Sequence, residues 1–261
     1  MRRQALYVTL LPVVLLLTGF ATTLPTVQAI GEQPSGFEVK FTNCIESIGV
    51  GLVPIEQARA LVPAEFHLVG EGQPVTPLVV RTANCGGIAV AGQRPKAGSI
   101  VQIGVVIVPP DFTGNINNFT LWYYTSDAKL ASHLERAGLN AQYAPTLDYD
   151  YESSGAGNPS LLDVRLRQPG EPRLRLAGTV SESATLAGAF EANWWVKAGA
   201  AIVKMDTLVP QIFIGSANLL LTTEASNPLG QLIGGGSTGF PVLEQFNTFS
   251  NAHMTVSILT P

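Results

Sequence analysis

Ser99-Ile100-Val101-Gln102-Ile103-Gly104-Val105-Val106-Ile107-Val108 decides the fold class. Seven of its ten residues are valine or isoleucine, whose branched β-carbons favour extended backbone over helix. Pro109-Pro110 stops the run. A strand this long, apolar at successive positions, is buried on both faces or crosses the whole wall of a barrel.

Similar signals lie on either side. Leu78 to Thr82 and Ile88 to Ala91 precede it as shorter runs, and Phe119-Thr120-Leu121-Trp122-Tyr123-Tyr124 follows it. Phe37 to Gly51 reads as a strand ending at Pro54. Leu162 to Arg167 and Arg173 to Leu176 alternate with period two around Pro169-Gly170-Glu171-Pro172, a hairpin pattern that points leucine and valine inward and arginine outward. Two short helices interrupt the strands. The first starts at Pro54, buries Ile55, Ala58, Leu61 and Val62, and stops at Pro63. The second is capped by Ser126, buries Leu130, Leu134 and Ala137, and ends at Gly138. The chain is thus expected to be mostly β, with two or more short helices.

Residues 1–29 have the parts of a secretory leader: Arg2 and Arg3, an uncharged stretch from Ala5 to Ala21, and the small-residue site Val27-Gln28-Ala29. Cleavage is expected after Ala29, giving a secreted or periplasmic product; the stretch, broken by Thr9, Pro12 and Thr18, is short of the ~20 apolar residues of a spanning helix. A retained anchor is the competing reading. The remaining 232 residues, 30–261, fit one β-barrel-like domain. They carry 13 basic and 19 acidic side chains, a net charge of −6 that excludes the basic footprint of a nucleic-acid binder. Charged residues make up 13% of the chain, low against the ~25% usual for soluble domains, so much of it should be buried or line an apolar cavity. Cys44 and Cys85, the two cysteines of an exported chain, are expected to form a disulfide.

Catalytic motifs are weak. Gly235-Gly236-Ser237-Thr238-Gly239 matches the spacing of a nucleophile elbow, but Gly234 before it and Phe240-Pro241 after it suit a flexible loop. His67, His133 and His253 are scattered, so no metal is expected, and no motif calls for an organic cofactor. Lys204 lies in Ala200-Ala201-Ile202-Val203-Lys204-Met205, an apolar setting of the kind that favours a neutral amine for Schiff-base chemistry. Arg165, Arg167, Arg173 and Arg175 could hold an anion across the hairpin, although such charges usually just meet water. Asn118-Phe119-Thr120 is the one N-glycosylation triplet.

Val53-Pro54-Ile55-Glu56-Gln57-Ala58-Arg59-Ala60-Leu61-Val62-Pro63-Ala64-Glu65-Phe66, the strand and helix from Tyr123 to Gly138, and the ending Phe240-Pro241-Val242-Leu243-Glu244 through His253-Met254-Thr255-Val256 together resemble the acetoacetate decarboxylase-like family. The resemblance implies a curved, cone-like β-barrel around an apolar cavity. In decarboxylating members it also implies a mid-chain lysine that forms a Schiff base, made reactive by an adjacent lysine. This sequence departs there, because Lys129, its one mid-chain lysine, stands between Ala128 and Leu130. Fold and cavity carry over; a catalytic residue does not.

The leading expectation is therefore an exported cavity protein that binds a small apolar or weakly acidic ligand. The alternative is a lyase acting on a β-keto acid or related carbonyl compound, with Lys204 or Lys129 as nucleophile. A structural module of the cell envelope is a third class, and oligomeric state is not legible.

Overall fold

The computed structural model of the chain describes residues 36–155, 158–167 and 173–259. Residues 1–29, expected to be a leader, and Pro169–Pro172, expected to turn the hairpin, lie outside the described residues. Twelve strands join one sheet. In chain order they begin with β1 (Gly36–Pro54), helix α1 (Ile55–Arg59), β2 (Val75–Val90), β3 (Lys96–Val106) and β4 (Ile116–Thr125). Helix α2 (Ala128–Arg136), β5 (Ala141–Tyr143), β6 (Asp148–Glu152), β7 (Ser160–Leu166) and β8 (Leu174–Ser181) follow. The chain continues through β9 (Leu186–Ala198), β10 (Ala201–Thr223), helix α3 (Pro228–Leu232), β11 (Ser237–Thr238) and β12 (Leu243–Leu259).

The ladder runs β12-β1-β2-β3-β4-β9-β10, and β10 pairs back to β12 through Ile202↔Leu259 to Leu208↔His253 and Phe213↔Thr248 to Ser216↔Gln245. Seven strands thus form a closed circuit of pairings, which removes the exposed edges an open sheet would carry. All joints are antiparallel except β4 with β9, where Ile116 to Phe119 run parallel to Ala192 to Trp195. Beyond Ser216 the second half of β10 leaves the circuit and pairs with β8, which pairs with β7, and β7 with β6. Gly215 sits at that crossing, where a β-carbon would stand 2.0 Å from the Ser181 carbonyl oxygen. Pro210 falls where β10 shifts register against β9 between Val209 and Ile212, a place where a missing N–H breaks no regular ladder.

Two cores result, one on each face of the circuit's strands. Ile100 joins a cluster with Val39, Phe41, Val79, Trp194, Met205 and Phe249, to which α2 adds Leu130 and Leu134. Val101, Ile103 and Val105 join the other, with Leu78, Val80, Leu162, Leu176, Leu221 and Phe246. From Ser99 to Val105 every residue of β3 is therefore buried. Each fully buried leucine or isoleucine contributes about 1.5–3 kcal/mol, and alternation vanishes because neither face meets water.

The hairpin forms as its period-two pattern requires, with Val164↔Leu176 and Leu166↔Leu174 paired and buried. Arg165 and Arg175 stand directly opposite one another, and Asp163 between them offsets the repulsion. The cap of α2 is a correction to the sequence reading. Asp127, not Ser126, accepts the N–H of Leu130 at 2.7 Å, while Ser126 Oγ accepts the N–H of Ser99. Helix α3, capped by Asn227, is the third helix among the described residues.

Candidate functional site

Alternation along the circuit's strands aims one set of side chains into its interior. From β1 come Glu46, Ile48 and Val50; from β2, Val79 and Arg81; from β12, Leu243, Gln245 and Asn247. Ile116 and Asn118 of β4 and Phe190, Ala192 and Trp194 of β9 face the same space, as do Thr207, Val209, Ile212 and Ile214 of β10. They enclose a cavity of about 290 Å³. Gly104 makes room for one wall, since a β-carbon there would come within 2.9 Å of the Trp194 ring and 2.2 Å of the Phe119 carbonyl oxygen.

Most of this lining is aliphatic or aromatic, and an ion pair is set into it. Arg81 Nε donates to Glu46 Oε2 at 2.5 Å, and the two side chains are 12% and 5% exposed. Asn247 Nδ2 donates to the other carboxylate oxygen at 3.3 Å, and Arg81 Nη1 donates to Gln102 Oε1 at 3.4 Å. Burial works against the charge of Arg81, but attraction to Glu46 and their hydrogen bond outweigh it and raise the guanidinium further above neutrality. Burial likewise pushes the phenols of Tyr123 and Tyr149 well above their ordinary range, so both stay protonated. Glu46 and Arg81 are the acidic and basic side chains among the lining residues, and they face each other as an ion pair. An isolated charge in such a setting would be strongly disfavoured, so the pair is maintained as a unit.

The lysines singled out from sequence fall elsewhere. Lys204 Nζ donates to Asp111 Oδ2 at 2.8 Å and Thr113 Oγ1 at 2.7 Å, lies 3.4 Å from Asp206, and sits 5.3 Å from the centre of the Trp195 ring. Burial opposes ionisation of Asp111, but the bonds from Lys204 and Thr113 prevail and hold its carboxyl below the usual value. Lys129 is exposed on α2 and donates to Gln93. None of the chain's five lysines lines the cavity. Asn118, the asparagine of the glycosylation triplet, is 1% exposed and lines the cavity.

Ser237 and Thr238 form the short strand β11 against Leu221 and Thr222, so the glycine-rich segment has no elbow geometry. The four hairpin arginines border a separate depression of about 520 Å³, but Arg165 and Arg175 are both bonded to Asp163 and Arg173 faces Glu224 at 3.7 Å. Among the described residues no cluster of three or more His, Cys, Asp or Glu could hold a metal. Cys44 and Cys85, opposite each other on β1 and β2, form a disulfide with an S–S distance of 2.11 Å.

Glu46, Arg81 and Asn247 were not singled out by sequence reading. The signal available was a lone charge inside an otherwise apolar strand, as in Ile45-Glu46-Ser47-Ile48 and Val79-Val80-Arg81-Thr82.

No known family's sequence profile matches the chain, and no curated protein matches it by sequence. Solved structures do match in fold. The enduracididine biosynthesis enzyme MppR, complexed with the condensation product of pyruvate and imidazole 4-carboxaldehyde, is 12% identical with a TM-score of 0.52, covering 86% of this chain and 88% of its own. Acetoacetate decarboxylase from Legionella pneumophila is 12% identical with a TM-score of 0.52, covering 91% and 93%. An acetoacetate decarboxylase-like enzyme from Sphingomonas wittichii RW1 is 12% identical with a TM-score of 0.50, covering 92% and 97%. The chain has the acetoacetate decarboxylase-like fold, a curved sheet of the kind the sequence resemblance implied.

Proposed function

We propose that this chain is an exported enzyme acting on a small carbonyl compound held in the circuit's cavity, with Glu46 and Arg81, rather than a lysine, facing the reacting atoms. The observation that carries this reading is the buried Glu46–Arg81 pair set in apolar walls. The similar solved structures are enzymes, which favours catalysis over simple carriage. A Schiff base needs an amine beside the substrate, and every lysine lies outside the cavity, so the lysine route has no geometric support.

The pair supports reversible enolisation. A carbonyl oxygen accepts from the guanidinium, the α-C–H bond breaks, its proton passes to the Glu46 carboxylate, and the electron pair becomes an enolate stabilised by Arg81. Return of the proton closes the cycle, so no oxidant or reductant is required. Export is supported by the Cys44–Cys85 bridge, which suits an oxidising compartment, and by the leader-like residues 1–29. Among the described residues no helix is long and apolar enough to cross a membrane.

Proton NMR of 2-pentanone in D₂O tests the reading. The wild-type chain is expected to speed α-hydrogen exchange above the buffer rate, Glu46→Gln to lose that acceleration by about 10²–10⁴-fold, and Lys204→Met and Lys129→Met to retain it. Binding without exchange would identify a carrier. Borohydride trapping of a lysine adduct, with activity lost in a lysine variant, would restore the Schiff-base route.

A further inference from the structure

Two neighbouring asparagines of β4 have opposite fates. Asn117 points away from the cavity and is satisfied: its Oδ1 accepts from Trp195 Nε1 at 2.8 Å, and its Nδ2 donates to the Thr113 carbonyl at 2.8 Å. Asn118 points into the cavity, is 1% exposed, and has no partner for either Nδ2 or Oδ1. A second orphan faces the same space, since Asn247 donates to Glu46 but its Oδ1 has no donor. A buried amide left unpaired on both sides is costly, and native chains retain such a group where something else completes it.

The required complement can be read from these atoms. Asn118 offers one donor face and one acceptor face side by side, and Asn247 adds an acceptor. A carboxylate has acceptors only, so it would pair with Asn118 Nδ2 and leave both amide oxygens unmet. It would also add an unbalanced negative charge beside Glu46, because Arg81 already offsets that carboxylate and no lysine or histidine lines the space. An ester or simple ketone likewise lacks a donor.

The geometry points to Asn118 as a specificity-determining residue that selects neutral carbonyl compounds bearing an N–H or O–H beside the carbonyl, such as carboxamides, over keto acid anions. This deepens the carbonyl-compound reading given above and rests on it. The ligand's carbonyl accepts from Asn118 Nδ2, and its N–H donates to Asn118 Oδ1, a two-point contact that fixes orientation as well as affinity.

A matched series of 3-oxohexanamide, methyl 3-oxohexanoate and 3-oxohexanoate, titrated calorimetrically at neutral pH, tests it. The amide is expected to bind wild type about tenfold or more tighter than either analogue. Asn118→Leu is expected to bring the amide level with the ester, and to melt no lower than wild type, because it removes an unpaired amide. Preference for the carboxylate, an amide no better than the ester, or an amide preference that survives Asn118→Leu would overturn the inference and leave the carbonyl reading standing. Failure of all three to bind at roughly 10 mM, a level that detects even very weak affinity, would overturn the carbonyl reading, and the inference with it.

Discussion

Arg81→Met is expected to cost about 3–5 kcal/mol of folding stability, because it strands the Glu46 carboxylate among apolar neighbours. Glu46 is 5% exposed, and its remaining partner, Asn247 Nδ2, is 3.3 Å away and neutral. Domains of this kind have about 5–15 kcal/mol in total, so the single variant approaches the edge of unfolding. Adding Glu46→Gln should recover most of the loss, since two neutral side chains of similar volume carry no uncompensated charge. Urea denaturation of wild type, both single variants and the double variant supplies the coupling energy. Single losses below about 1 kcal/mol with no coupling would show that the pair is hydrated and that the cavity is not the low-dielectric site described here.

The second large effect belongs to the disulfide. Cys44 and Cys85 are 41 residues apart in sequence, and in the chain-entropy treatment closing such a loop stabilises by about 4 kcal/mol. Cys44→Ser/Cys85→Ser is expected to lose an amount of that order, with wild type in dithiothreitol matching it and the double variant indifferent to reductant. The bridge ties β1 to β2 within a register extending from Val39↔Val90 to Pro54↔Val75. A loss under about 1 kcal/mol would mean that this ladder already restricts the unfolded chain and that the bridge adds little constraint of its own.

How much of this was legible beforehand differs by element. Ser99 to Val108 and the Leu162–Leu176 hairpin declared themselves because β-branching and period two are local properties. The division of β3 between two cores was hidden, since successive apolar residues do not say which face meets which partner. Closure of the circuit depends on β10 pairing with β12 across more than forty intervening residues in most of the register, a contact no local pattern records. The cap at Asp127 was missed by one residue because Ser126 is an equally good capping type; its hydroxyl was taken by Ser99 instead.

The cavity was expected from low charge and from family resemblance, but its chemistry was not. Lys204 looked reactive because its sequence neighbours are apolar. In the fold, Val203 and Met205 point to the interior core while Lys204 meets Asp111 and Asp206 on the opposite face. Asn118 was visible only as part of a glycosylation triplet, a local motif that carries no information on burial. Glu46 and Arg81 were each visible only as an interruption in a strand, and register alone brings them together, Ile48 lying opposite Arg81 and Glu46 opposite Ala83.

The central claim is that the space between Glu46, Arg81 and Asn118 receives a small carbonyl compound. Methyl-labelled NMR during titration with 3-oxohexanamide tests it most directly. The account predicts progressive shifts at Ile48, Ile116, Ile212 and Ile214, which line the cavity, with Leu166 and Leu174 beside the arginine depression unchanged. Shifts at Leu166 and Leu174 alone, or none at the cavity isoleucines at saturation, would contradict it.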